Sequence, residues 1–117
     1  NKMEMSINPY KIGRMFDEHF RHGDLICRYG GEEFAVILPD TSLKSAMAVC
    51  ERLRTKVFNH RFKYNSSDFS ISISIGIALY NNLVHKSSDE LVSAADQALY
   101  RAKKEGRNCV KYYPDNQ

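Results

Sequence analysis

Apolar positions along the chain follow two periods, and the changes between them mark the elements. Asn8-Pro9 opens a helix, because Asn caps free N–H groups and Pro suits the first turn. Ile12, Met15, Phe16 and Phe20 then recur at helical spacing and predict one buried stripe, ended by Gly23. Two short apolar runs, 25–29 and 34–38, flank Gly30-Gly31-Glu32-Glu33 and predict a β-hairpin with a tight glycine-bearing loop. After Pro39-Asp40-Thr41, the positions Leu43, Ala46, Val49, Cys50, Leu53 and Val57 define a second amphipathic helix running to about residue 58.

Residues 59–68 are polar and loop-like, with Phe62 and Tyr64 alternating as in a short edge strand. From 69 to 79 every odd position is apolar and Ser70, Ser72, Ser74 and Gly76 alternate with them, which predicts one long strand whose small face lies beneath a loop or a ligand. Residues 81–86 read as a loop. Ser87-Ser88-Asp89-Glu90 is a capping box opening a helix with Leu91, Ala94, Ala95, Ala98, Leu99 and Ala102 inward and Gly106 as its C-cap. A last strand spans 109–113. Helices alternating with mostly hairpin-linked strands predict an α/β fold in which helices flank a mainly antiparallel central sheet.

Composition narrows the class. The chain has 117 residues, 43% hydrophobic and 26% charged, as expected of one globular domain, with 1–8 and 114–117 as tails. Seventeen basic and fourteen acidic residues leave a net charge of +3 without long like-charge runs, too weak to require nucleic acid. Cys27, Cys50 and Cys109 are odd in number and far apart, which predicts buried thiols in a reducing compartment, not a disulfide framework or a zinc site. No apolar run approaches the ~20 residues of a bilayer span, and the N-terminus has no signal pattern. The domain is therefore expected in the cytoplasm without direct membrane insertion, whatever anchors the parent protein.

Read as a four-residue string, Gly-Gly-Glu-Glu is only a solvated turn. Its context says more. Arg28-Tyr29-Gly30-Gly31-Glu32-Glu33-Phe34 between apolar strands is followed by Leu38-Pro39, Ser74-Ile75-Gly76-Ile77-Ala78, Ala95-Asp96-Gln97-Ala98-Leu99-Tyr100 and Ala102-Lys103-Lys104-Glu105-Gly106-Arg107-Asn108. In order and spacing this resembles the GGDEF family of diguanylate cyclases over nearly all of residues 10–113.

The resemblance implies a nucleotidyl-cyclase (palm-like) fold and a nucleotidyltransferase that condenses two GTP into cyclic di-GMP, each domain of an antiparallel homodimer presenting one GTP. It implies Mg²⁺ (or Mn²⁺), which lowers the pKa of the attacking 3′-hydroxyl and offsets charge on the phosphate. Glu32 corresponds to a metal ligand and Glu33 to a second essential acid, while Gly30 and Gly31 line the phosphates. Lys103 and Arg107 match a basic pair on the triphosphate, placed by four-residue spacing on one side of a helix terminus. Without the family, two basic residues there would simply oppose the helix macrodipole. Asp96 reads as a structural hydrogen-bonding residue.

Upstream, Arg21-His22-Gly23-Asp24 matches the family's Arg-x-x-Asp product-inhibition motif, and Arg52 corresponds to a further arginine of that site. Guanidinium pairs with phosphate or guanine, and Asp accepts from guanine N–H groups. The plain alternative is a local ion pair worth ~0–1 kcal/mol.

The family's Asp-x-Asp strand and its following Asn-Asp and Gly-Asp elements do not occur in residues 1–117. The chain is thus expected to be a partial GGDEF domain lacking the first strand region, with a gap or exposed edges in its sheet and a tendency to associate. A fragment, an intertwined dimer and a domain that binds cyclic di-GMP or GTP without turnover all satisfy the sequence. An upstream sensor or receiver domain is the expected regulator. A nucleic-acid-binding domain fits poorly, because no concentrated basic face with interleaved aromatics is visible.

Overall fold

The computed structural model describes residues 9–80 and 87–113. The tails 1–8 and 114–117 and the loop 81–86 lie outside the described residues. In chain order the elements are α1 (Pro9–His19), β1 (Leu25–Tyr29), β2 (Glu33–Pro39), α2 (Leu43–Asn59), β3 (Phe62–Tyr64), β4 (Ser67–Phe69), β5 (Ser74–Tyr80), α3 (Ser88–Lys104) and β6 (Val110–Tyr113). The predicted caps form. Ser42 accepts from the backbone N–H of Ser45 at 3.1 Å, and Ser87 and Glu90 complete a reciprocal capping box.

Four strands make one sheet in the order β1-β2-β5-β6. The sheet is mixed: β1 and β2 are antiparallel, whereas β2–β5 and β5–β6 are parallel. Parallel pairs need crossover connections, and α2 and α3 supply them. Of the two expected outcomes, the described sheet shows edges and no gap: β2 and β5 pair directly from Glu33↔Ser74 to Pro39↔Tyr80, and β1 and β6 are its outer strands.

Alternation along β2 builds a core on both faces. Phe34, Val36 and Leu38 join Ile12, Met15 and Phe16 of α1 and Ala46, Cys50, Leu53 and Val57 of α2. Ala35 and Ile37 point the other way, onto Leu91, Ala94 and Ala95 of α3. All six predicted inward residues of α3 are buried.

The strand predicted over 69–79 divides. Phe69 pairs back with Phe62 in a small hairpin turned by Asn65 and Ser66, both at positive φ, and β5 begins at Ser74. The apolar alternation through Ile71 and Ile73 records burial in the same core, not continuous ladder pairing. Nor does the small face of β5 await a ligand. A Cβ on Gly76 would stand 2.2 Å from the backbone N of Leu99 and 2.4 Å from the Ala95 carbonyl oxygen, so α3 rests directly on the strand.

Gly76→Ala is therefore expected to destabilise the fold by about 3 kcal/mol, measured by urea unfolding. A loss below about 1 kcal/mol would mean that α3 does not sit this closely.

Candidate functional site

Two adjacent glutamates have different fates because β2 begins between them. Glu32 lies in the three-residue connection after Tyr29, exposed to solvent. Glu33 is the first residue of β2, and the pleat sends its side chain to the same face as Ala35 and Ile37, where α3 lies. There it meets two cations: Arg107 Nη1 donates to Oε2 at 2.7 Å, and Lys103 Nζ lies 3.4 Å from Oε1. The Arg107 hydrogen bond, with Lys103 assisting, holds the Glu33 carboxyl below its ordinary range despite an opposing effect of burial.

Lys103 and Arg107 do not share a helix face, as their spacing predicted, because α3 ends at Lys104. The chain instead reverses through a Schellman turn. Arg107 N–H donates to the Ala102 carbonyl at 2.9 Å and Gly106 N–H to that of Lys103 at 3.5 Å, with Gly106 at φ 113°. Arg107 itself has φ 61°. The turn brings its guanidinium back to the carboxylate that Lys103 reaches from the helix.

At the turn, Gly30 takes φ 67° and Arg28 donates to the Gly31 carbonyl at 3.2 Å while lying over the Phe34 ring. Tyr29 O–H donates to Asp96 at 2.9 Å across to α3, and this bond raises the phenol pKa to about 12. Asp96 is thus a hydrogen-bonding residue, as expected. Its partner Tyr29 was not legible in the sequence, because 67 residues separate the two. Tyr29, Glu33, Asp96, Leu99, Tyr100 and Lys103 line an open groove of about 270 Å³.

Among the described residues, no group of three or more His, Cys, Asp or Glu side chains is arranged to hold a metal ion. Glu32 is one exposed carboxylate, and Glu33 is already committed to two cations. The described residues therefore do not make a complete divalent-cation site. Cys27, Cys50 and Cys109 are free thiols, and burial pushes Cys50 up to about 12, which makes it unreactive.

The upstream cluster forms at the entry to β1. Asp24 accepts from the Arg21 backbone N–H at 2.8 Å and from Arg21 Nη2 at 3.3 Å. The same Nη2 reaches the Pro39 carbonyl at 2.7 Å and Thr41 Oγ1 at 2.6 Å, so the turn after β2 shapes this site too. Thr41 was missed in the sequence, where it reads only as part of a strand-breaking turn. Arg21 remains 60% exposed at its side chain while Asp24 is 4% exposed, leaving a guanidinium at the surface over a buried acid. A cleft of about 180 Å³ adjoins them, lined also by Ser45 and Val49 of α2. Arg52 is exposed one turn beyond Val49 and is not among the residues lining this cleft. His19 is occupied locally, with Nδ1 2.7 Å from the Met15 carbonyl oxygen.

The lowered Glu33 pKa has a defined sign. Its stabilisation is present above the ordinary value of 4.5 and is lost as pH falls through the lower folded value. Since the pair is partly exposed, Glu33→Gln should cost no more than about 1 kcal/mol at pH 7. That difference should shrink in urea titrations below about pH 4.5. A difference unchanged down to about pH 2 would rule out the ion pair as its source.

Comparison with known proteins agrees with this architecture. The family described as "Diguanylate cyclase, GGDEF domain" matches residues 10–109. Diguanylate cyclase A of Treponema denticola is 39% identical over 106 residues, covering 91% of this chain and 28% of that protein. The GGDEF domain of DgcB from Caulobacter crescentus in complex with c-di-GMP superposes with a TM-score of 0.69 at 26% identity, over 86% of this chain and 60% of that one. The active GGEEF domain of a diguanylate cyclase from Vibrio cholerae gives 0.68 at 28% identity, over 89% and 65% respectively. The chain thus spans little more than a quarter of the length of the Treponema relative. Among the described residues, no helix is long and apolar enough to cross a membrane. By its hairpin, its sheet and these matches, the chain belongs to the GGDEF family of diguanylate cyclase domains.

Proposed function

We propose that this chain is the GTP-handling part of a diguanylate cyclase, with Lys103 and Arg107 gripping the triphosphate beside the Gly30–Gly31 turn. One observation carries the reading: two cations from the end of α3 converge on the first residue of β2, next to that turn. Two positive charges against one carboxylate leave an excess suited to phosphate. Binding then consists of exchanging Glu33 for phosphate oxygens at Lys103 and Arg107, while the Gly30 and Gly31 backbone admits the phosphates closely.

The reaction joins two such sites, one from each domain of a homodimer. The 3′-hydroxyl of one GTP attacks the α-phosphate of the other, a P–O bond forms, and pyrophosphate leaves; repetition in the opposite sense closes the ring to cyclic di-GMP. Mg²⁺ or Mn²⁺ is the expected metal. Glu32 is the one carboxylate beside the turn left available to it, and Glu33 is the second acid of the site. The remaining ligands have no counterpart among the described residues. A second reading keeps binding of nucleotide and cyclic di-GMP at these residues without turnover of GTP.

Arg21 and Asp24, with Arg52 further along α2, are proposed to bind the product, the surface guanidinium taking phosphate or guanine and Asp24 the guanine N–H groups. A sensor or receiver domain upstream in the parent protein completes the expected assembly.

Titrations separate these roles. Lys103→Ala and Arg107→Ala should each weaken GTP about tenfold and leave GMP nearly unchanged, whereas Arg21→Ala should abolish cyclic di-GMP binding without affecting GTP. Equal GTP affinity in all variants would sink the triphosphate assignment, and unaltered cyclic di-GMP binding by Arg21→Ala the product site. With GTP and Mg²⁺, cyclic di-GMP formation lost in Glu32→Ala supports the cyclase reading. GTP binding with no product supports the binding module.

A further inference from the structure

We infer that Asn108, tethered to α2 by Arg54, is a positioning residue that holds Arg107 where it can meet an anionic ligand. The inference rests on the proposed triphosphate role of Arg107 and extends it to residues that touch neither Glu33 nor the turn.

Arg107 follows a helix terminus and has a left-handed backbone, as does Asn108 at φ 47°. Such conformations persist in residues other than glycine only where neighbouring contacts fix them. On its N-terminal side Arg107 is fixed by its own N–H bond to the Ala102 carbonyl. On its C-terminal side, Asn108 N–H donates to Ser74 Oγ at 3.1 Å. Asn108 Oδ1 accepts from Arg54 Nη1 at 2.8 Å. The direction of that bond is unambiguous, since guanidinium can only donate.

Arg54 is itself set in place. Its Nε and Nη2 bind the two Glu51 oxygens at 2.8 and 3.1 Å, a bidentate pair on one helix face, and its side chain is only 19% exposed. Ser74 closes the circuit. It is 2% exposed, it faces Glu33 in the strand register, and its N–H donates to the Glu32 carbonyl at 2.9 Å. The strand end carrying Glu32 and Glu33 and the loop carrying Arg107 are thus keyed to one buried serine, and the loop is also tied to α2. Without the Arg54–Asn108 bond, the residue after Arg107 keeps one anchor, and the guanidinium samples positions away from Glu33.

Asn108→Gly tests this, because glycine accepts the backbone conformation and keeps the N–H to Ser74 while deleting only the tether. Arg54→Met removes the same bond from the other side, and Arg54→Lys should recover part of the effect. In the unliganded protein, the Arg107 guanidinium N–H resonances, whose rotation is slowed by the bond to Glu33, should approach those of a freely rotating side chain in Asn108→Gly and Arg54→Met. GTP affinity should fall about fivefold or more in both, with GMP unchanged. In an Arg107→Ala background the Asn108→Gly change should add nothing, because the residue it positions is gone.

Unchanged Arg107 guanidinium resonances, or an Asn108→Gly effect on GTP that adds fully to that of Arg107→Ala, overturn the positioning role alone. GTP binding untouched by Arg107→Ala overturns the triphosphate reading, and this inference with it.

Discussion

The close seating of α3 on β5 at Gly76 is the contact on which the rest of the molecule depends. Helix and sheet faces usually stand apart by the thickness of their side chains. Here one strand residue has no side chain, and the helix backbone fills that place. The approach lets the small residues Ala94, Ala95 and Ala98 form the buried face of a helix that would otherwise need larger ones. It also brings the C-terminal turn of α3 level with the start of β2, which is why Lys103 can reach Glu33. Moving the helix outward by one methyl group would separate the charged groups as well as the apolar ones.

Electrostatics at the hairpin then follow from strand geometry more than from composition. Glu32 and Glu33 are chemically identical and adjacent, yet one faces solvent and the other faces two cations, because a strand starts at the second. The pleat permits only one of two successive side chains to face α3. This division gives the proposed metal ligand and the acid that guards the phosphate cations separate environments.

Much of this was legible in the sequence, for identifiable reasons. Helical spacing marked the stripes of α1, α2 and α3, and Ser87 with Glu90 marked a helix start, because these depend on neighbours within one turn. The 69–79 run was misleading since Ile73 is buried and Ile71 half-buried without pairing, and a period of two reports burial rather than a ladder. The mixed sheet was illegible for the same reason: strand order depends on long-range pairing, and β2 against β5 joins residues about 40 apart in the register. Within the site, the glycines, glutamates and cations were readable as types at fixed spacing. Tyr29 with Asp96, Thr41 under Arg21 and Asn108 with Arg54 were not, because each pair meets only after folding.

The two proposed ligand sites are joined by one short element. Asp24 immediately precedes β1 and Gly30 immediately follows it, so five extended residues between them separate the sites by about 20 Å. A ligand at Arg21 cannot touch the Gly30 turn directly over that distance. Among the described residues β1 pairs only with β2, as an edge strand. The Arg21 guanidinium also binds the Pro39 carbonyl at the far end of β2, whose first residue is Glu33. Both strands of the hairpin therefore run from the Arg21 cluster to the charged turn. A ligand that pulled Arg21 away from Pro39 and Thr41 would loosen one end of a ladder whose other end presents Glu32 and Glu33. Influence between the sites would travel as a change in hairpin pairing, without any rearrangement of the core beneath α3.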